Sequence, residues 1–381
     1  MITYCIPSKN NLRYVKLAIE SIKKNSHYKD NEILVYVDQD DDRTSEWLKE
    51  NGIEYILNDS GACKGIGYAY DTLFKQAKYD LVVAFHADMV LGIDADKNLV
   101  KHHKRGSVVC STRIEPPLHP PGPEKIVKDF GMWPEDFKWK EFDEFVNKFS
   151  TDNKGKTTGS SFAPWLIDRR DHLGHDPVFL SVFEDADLFR RFVLAGYQMV
   201  QSWDSLVYHL TCRGGQFLGA EKMEDFQKKD DLWLKNNEIS MVEYIRKWGG
   251  FFKEYGPCEP RPNVKYDIGL KAKNCPQGIL GFEPYFNSLQ VDIDFLDYIN
   301  QVQPNSKFDI TSKFVKELSN DIILEVNFSN RSEVESFQQL ISNIEEVLEG
   351  AEPNQTYEVN GMILIIKEKK PEKIKLKYET K

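Results

Sequence analysis

Four groups of polar residues stand directly after apolar runs, where side chains are placed to do chemistry. Asp38, Asp40, Asp41 and Asp42 follow the run 33–37. A carboxylate just past a buried strand can accept hydrogen bonds from a nucleobase or ribose. For Asp40, Asp41 and Asp42 the alternative is an acidic turn that caps the next helix. Gly61, Lys64, Gly65 and Gly67 form a second group. Glycines opening a helix allow close backbone approach to a ligand, and the lysine adds a cation. The spacing is not that of the phosphate-binding P-loop, and a plain loop–helix junction is the competing reading. His86 and Asp88 follow the run 81–85. Two residues apart at a strand end, they project to the same side, and hard divalent cations favour such a carboxylate. Glu184, Asp185 and Asp187, with Arg190 and Arg191, open a helical stretch, where acidic residues suit the helix dipole. His209 closes a later apolar run and reads equally as a core histidine.

The elements that position these residues alternate. Strands are expected over 2–6, 33–37, 53–57, 81–85 and 108–110, with helices following the first and preceding the fourth. Such alternation predicts a parallel α/β sheet with right-handed crossovers, whose ligands sit at the carboxyl ends of the strands. The Pro-rich stretch 116–123 breaks the pattern as a surface loop. A helix over 137–149 follows, then a second strand–helix run over 161–167, 184–194 and 198–203, and a helix over 221–248. Residues 256–264, rich in proline, read as a linker between a catalytic domain over 1–255 and a smaller α+β module over 265–381. In that module one amphipathic helix (333–348) lies between strands at 322–328 and 362–366.

Composition narrows the function further. The 381 residues carry 50 Lys+Arg against 60 Asp+Glu, a net charge of −10. This weighs against nucleic acid or an anionic membrane as the main partner. No apolar run is long enough to span a bilayer, and the first residues lack the features of a signal peptide. The six cysteines (Cys5, Cys63, Cys110, Cys212, Cys258 and Cys275) include no C-x-x-C pair, so a reduced, cytoplasmic setting is expected.

Taken in order, the motifs resemble the family 2 glycosyltransferases, whose fold is called GT-A: Rossmann-like, with a mostly parallel central sheet flanked by helices. The opening strand with Pro7 is similar to the family's start, and Asp38 with Asp40, Asp41 and Asp42 to its nucleotide-contacting acidic turn. Gly61 to Gly67 resembles its glycine–basic–glycine segment. His86-Ala87-Asp88 stands where the family carries Asp-x-Asp, with His86 in place of the first Asp. The stretch from Ile167 to Leu188 looks like the acceptor-side block ending in Glu184-Asp185. The resemblance covers about residues 1–215.

It implies transfer of a sugar from a nucleotide-diphosphate donor to a hydroxyl of a glycan or other acceptor, with inversion. Asp88 and His209 would hold Mn²⁺ or Mg²⁺, Asp185 would be the general base, and Glu184 would orient its loop. Pro7, Asp38, Asp40, Gly61, Lys64, Gly67 and His86 would line the donor side, and Trp165 and Trp203 would offer faces for a sugar or else pack in the core. A sugar-nucleotide-binding scaffold without catalysis is the alternative that His86 favours. A sugar-phosphate nucleotidyltransferase would need a glycine-rich loop where Pro7-Ser8-Lys9-Asn10 stands. The carboxy-terminal module would pair subunits or grip the acceptor.

Overall fold

The computed structural model describes residues 1–160, 162–180, 182–211, 217, 223–255, 258–329 and 331–379. Cys212, the start of the helix expected at 221–248, Ser161, and Gly256-Pro257 of the expected linker lie outside the described residues. The chain divides into two compact units. One comprises Met1–Asn236, Glu254–Arg261 and Leu376–Lys381; the other comprises Asn237–Lys253 and Pro262–Lys375.

The first unit opens with β1 (Thr3–Lys9), α1 (Leu12–Asn25), β2 (Glu32–Gln39), α2 (Thr44–Glu50), β3 (Glu54–Leu57), α3 (Ile66–Gln76) and β4 (Leu81–Ala84). It continues with β5 (Met89–Leu91), α4 (Ala95–His102), β6 (Ser107–Glu115), β7 (Lys125–Val127) and α5 (Trp139–Asp152). Then come β8 (Thr157–Thr158), β9 (Trp165–Asp168), α6 (Glu184–Leu194) and β10 (Gln198–His209). One sheet runs β3-β2-β1-β4-β9-β6-β10-β5, with β7 beside β6 and β8 beside β10.

The sheet is buried on both faces, which explains the unbroken apolar runs. On β1, Tyr4 and Ile6 pack with Val15, Ala18, Ile19 and Ile22 of α1. Cys5, on the opposite face, meets Leu73 of α3 and Leu188 and Phe192 of α6. Val15, Ala18, Ile19 and Ile22 recur at helical spacing, so one stripe of α1 covers the sheet. Each fully buried aliphatic or aromatic side chain contributes roughly 1.5–3 kcal/mol. A separate cluster around Phe130, Phe142 and Tyr208 seats α5.

The first four strands pair in parallel, as the alternation predicts. The sheet as a whole is mixed. β9 enters antiparallel between β4 and β6, and β5 pairs antiparallel with β10. Period-2 burial tells which face a residue meets but not the direction of a neighbouring strand, so β9 reads in sequence as one more parallel strand. Met89–Leu91 was too short to be read as a strand at all, yet it sets the site: its register opposes His209 to Met89.

α7 (Asp231–Trp248), β11 (Lys253–Tyr255) and β12 (Glu259–Arg261) follow. The second unit has its own core. β13 (Ile268–Lys273), β14 (Ser288–Gln290), α8 (Leu296–Val302), β15 (Ile322–Asn327), α9 (Arg331–Ser342), α10 (Ile344–Glu349), β16 (Gln355–Val359) and β17 (Met362–Ile366) build it. The sheet order is β14-β13-β15-β17-β16. The single helix expected over 333–348 is two helices, interrupted at Asn343. Below them Arg246 donates to Glu243 at 2.6 Å and to Glu283 at 3.1 Å, all three buried. Opposed charges and shared hydrogen bonds offset the desolvation of this cluster.

Candidate active site

At one end of the first unit's sheet, His86 and Asp88 lie in the short link between β4 and β5, and His209 is the last residue of β10. The antiparallel β5–β10 pairing brings them together, extended by the Leu210 amide donating to the Asp88 carbonyl at 3.0 Å. One nitrogen of each imidazole and one Asp88 oxygen lie within 4.8 Å of one another. His209 Nε2 is 3.5 Å from Asp88 Oδ1, and its Nδ1 is 3.1 Å from Glu115 Oε1. Glu115 ends β6 and is 3 % exposed. It also pairs with Lys125 Nζ at 3.0 Å and with Arg113 Nε at 3.5 Å.

Electrostatics divides the labour within the cluster. Burial pushes the His86 imidazole down to about 4, so it is neutral and keeps a lone pair for a ligand. For Asp88 burial opposes ionisation, but the charge and hydrogen bond of His209 outweigh it and hold the carboxyl at about 2. His209 is raised: burial lowers it, and Asp88 and Glu115 together more than compensate. A carboxylate behind a histidine that faces a second carboxylate is the outer-shell arrangement that orients metal-bound imidazoles. Glu115 escaped the sequence reading. Its one signal was position, as the last residue of a strand before the Pro-rich loop.

The residues expected on the donor side are held mainly by each other. Asp38, at the end of β2, accepts from the Lys64 amide at 2.9 Å, the Gly65 amide at 3.2 Å and Asn58 Nδ2 at 2.9 Å. Its carboxylate thus ties the glycine segment to the sheet. Asp40 accepts from the Ser45 amide at 2.9 Å, Asp41 from Asn10 Nδ2 at 2.7 Å and Asp42 from the Leu12 amide at 2.6 Å. These three carboxylates are occupied by the α1 and α2 junctions. Pro7 sits within β1 opposite Tyr36. Gly61 is open. Gly65 (φ +85°) would place a Cβ 1.8 Å from the Leu180 carbonyl oxygen, and Gly67 would place one 2.9 Å from His175 Cβ. The last two glycines therefore serve close packing against the 175–180 loop. Lys64 Nζ lies 5.8 Å from the centre of the Tyr68 ring.

Glu184 and Asp185 begin α6 after Phe183, which adopts φ +70°. Asp185 is exposed, whereas Glu184 is 9 % exposed and its Oε2 has no hydrogen-bond partner among the described residues. Burial and the neighbouring Asp185 charge raise Glu184 to about 8. Asp187 and Arg191 are fully buried and pair at 2.7 Å, a structural contact. Trp165 is 3 % exposed and packed by Phe74, Phe189 and Phe192, so it belongs to the core and offers no sugar face. Trp203 donates to Thr158 Oγ1 at 2.8 Å and carries Lys156 over its ring.

A second cluster lies beneath α3. Asp71 Oδ1 is 2.7 Å from His172 Nε2 and 2.6 Å from His175 Nδ1, and Asp71 Oδ2 accepts from the His175 amide at 3.0 Å. The adjacent Tyr70 is 3 % exposed, and among the described residues its hydroxyl has no hydrogen-bond partner.

The family described as Glycosyl transferase family 2 matches residues 3–158. No curated protein matches the chain. Among solved structures, GalNAc-T7, crystallised with UDP, GalNAc and Mn²⁺, aligns at 14 % identity and TM-score 0.41 over 55 % of this chain and 43 % of that one. Residues 1–349 of S. aureus TarS align at 13 % identity and TM-score 0.38 over 55 % and 60 % of the two chains. The family match ends before α6 and β10, so Glu184, Asp185 and His209 lie beyond it. Residues 3–158, the stretch similar to that family, lie within the α/β first unit.

Proposed function

We propose that the protein transfers a glycosyl group from a nucleotide-diphosphate sugar to an acceptor hydroxyl, with a divalent cation and with inversion at the anomeric carbon. The observation carrying this reading is the convergence of His86, Asp88 and His209 at the end of the sheet, with Glu115 fixing His209 from behind. The donor set fits a cation: one carboxylate held ionised, one neutral imidazole, and a second imidazole turned toward the carboxylate by an outer partner. Two nitrogen donors weigh toward Mn²⁺ and against Mg²⁺, which prefers oxygen. A cation bound there supplies positive charge to the departing diphosphate.

The chain's own residues do the rest. Asp38 holds the Lys64–Gly65 backbone in place on the donor side. Asp185, exposed at the start of α6, takes the proton of the acceptor hydroxyl as its oxygen bonds to the anomeric carbon and the bond to the diphosphate oxygen breaks. Glu184 is protonated below about pH 8 and does not compete for that proton.

The test is a screen of nucleotide sugars for release of nucleotide diphosphate, with and without EDTA. One donor should be turned over with Mn²⁺ and lost on chelation. Asp185→Asn should lower kcat by roughly 10²–10⁴-fold while leaving donor KM in place. Undiminished turnover after chelation would refute the metal reading, and near wild-type kcat in Asp185→Asn would refute the base.

A further inference from the structure

Tyr70 lies between the two histidine clusters. Its ring centre is 6.4 Å from that of His86, with planes 27° apart, and 6.1 Å from that of His175, with planes 22° apart. His86 in turn stands 5.9 Å from His209. These separations fall within the roughly 4.5–7 Å over which aromatic rings pack favourably. The series His175–Tyr70–His86–His209 therefore runs from the buried hub to the proposed metal ligands.

The hub end of the series is fixed. His175 Nδ1 and its amide both engage Asp71, and Gly67, one turn before Asp71 on α3, leaves no room between helix and His175. Asp71 is next to Tyr70 in the helix, so one element carries both the anchor and the ring. Phe74 and Trp165 close on Tyr70 at 5.8 and 6.4 Å. His86, by contrast, sits in the link between β4 and β5 and is only partly buried. The rings of Tyr70 and His209 flank it.

We infer that Tyr70 is a positioning residue for the metal side: its ring, anchored through His175 by Asp71, sets where His86 stands. The inference rests on the metal site proposed above. It acts through packing, because the Tyr70 hydroxyl is buried and the ring makes the contacts. Removing the ring frees His86 to rotate away from Asp88; removing only the hydroxyl does not.

Mn²⁺ binding to the full chain, followed by loss of the free-ion electron paramagnetic resonance signal, reads this without substrate. Tyr70→Phe should bind Mn²⁺ like wild type. Tyr70→Leu should bind roughly 10–100-fold more weakly, the range for lost outer-shell support. Asp71→Asn should weaken binding in the same direction, and it carries the test if Tyr70→Leu does not fold. Folded Tyr70→Leu or Asp71→Asn protein with wild-type Mn²⁺ affinity overturns the inference alone. Wild-type protein that binds no Mn²⁺ overturns the metal site, and this inference with it.

Discussion

The molecule holds two clusters of the same composition, two histidines and one aspartate, and they are wired in opposite ways. In the hub, Asp71 spends its carboxylate on both imidazoles and a backbone amide, at 2.6–3.0 Å. At the sheet end, the nearest imidazole nitrogen to Asp88 is 3.5 Å away, and the hydrogen bond that orients His209 is accepted by Glu115 behind it. The hub is closed by short hydrogen bonds on one carboxylate; at the sheet end Asp88 and His209 stand farther apart, and His86 is neutral. The same residue types are therefore engaged differently in the two places.

Breaking the hub should have the largest effect. Asp71→Ala leaves two buried imidazoles and an amide without their acceptor, which should cost about 3–5 kcal/mol of stability in urea unfolding. The Asp71 carboxyl is held well below its usual range: burial raises it, and the hydrogen bonds of His172 and His175 more than compensate. The unfolded chain therefore binds this proton more readily. The stabilisation is complete above the ordinary carboxylate range and is lost on acidification. A loss comparable to an exposed substitution would show the two clusters to be alike after all.

Glu115→Gln tests the other side of the contrast. It keeps an acceptor for His209 but removes the charge, and Mn²⁺ affinity should fall by roughly 10–100-fold, together with a loss of stability from its pairs with Lys125 and Arg113. A fall in stability without loss of Mn²⁺ binding would mean that Glu115 serves only its pairs with Lys125 and Arg113.

The smallest effect sharpens the boundary between the clusters. Glu184 keeps its proton in the fold to about pH 8, whereas an unfolded glutamate loses it near pH 4.3. Stability must therefore decline as pH rises between those values. Glu184→Gln should melt with wild type at pH 4 and several degrees above it at pH 8. Equal melting at both pH values would mean that Glu184 ionises normally.

Much of this was legible in the chain itself. The continuous run at 33–37 announced a doubly buried strand, and Val15, Ala18, Ile19 and Ile22 announced the helix stripe that covers it. Polar residues placed directly after such runs, Asp38, His86, Asp88 and His209, pointed to the end of the sheet where ligands gather. Asp40, Asp41 and Asp42 offered two readings, and the structure shows them occupied at helix junctions. In the carboxy-terminal unit the sequence showed two of five strands, because β14 is three residues long, β16 is only partly buried, and a glycine and two lysines interrupt the apolar run of β13.

The opening feature of the site, polar residues at strand ends, follows from sequence because burial has a period, and a period is written locally. Partnership is not. Asp71 meets His172 and His175 across more than a hundred residues, and Glu115 meets His209 across 94. Those meetings depend on the antiparallel entry of β9 and the parallel pairing of β6 with β10. The sequence determined which groups stand at the end of the sheet. Only the tertiary path decided which of them come within hydrogen-bond reach of one another, because that depends on strand order and direction across the sheet.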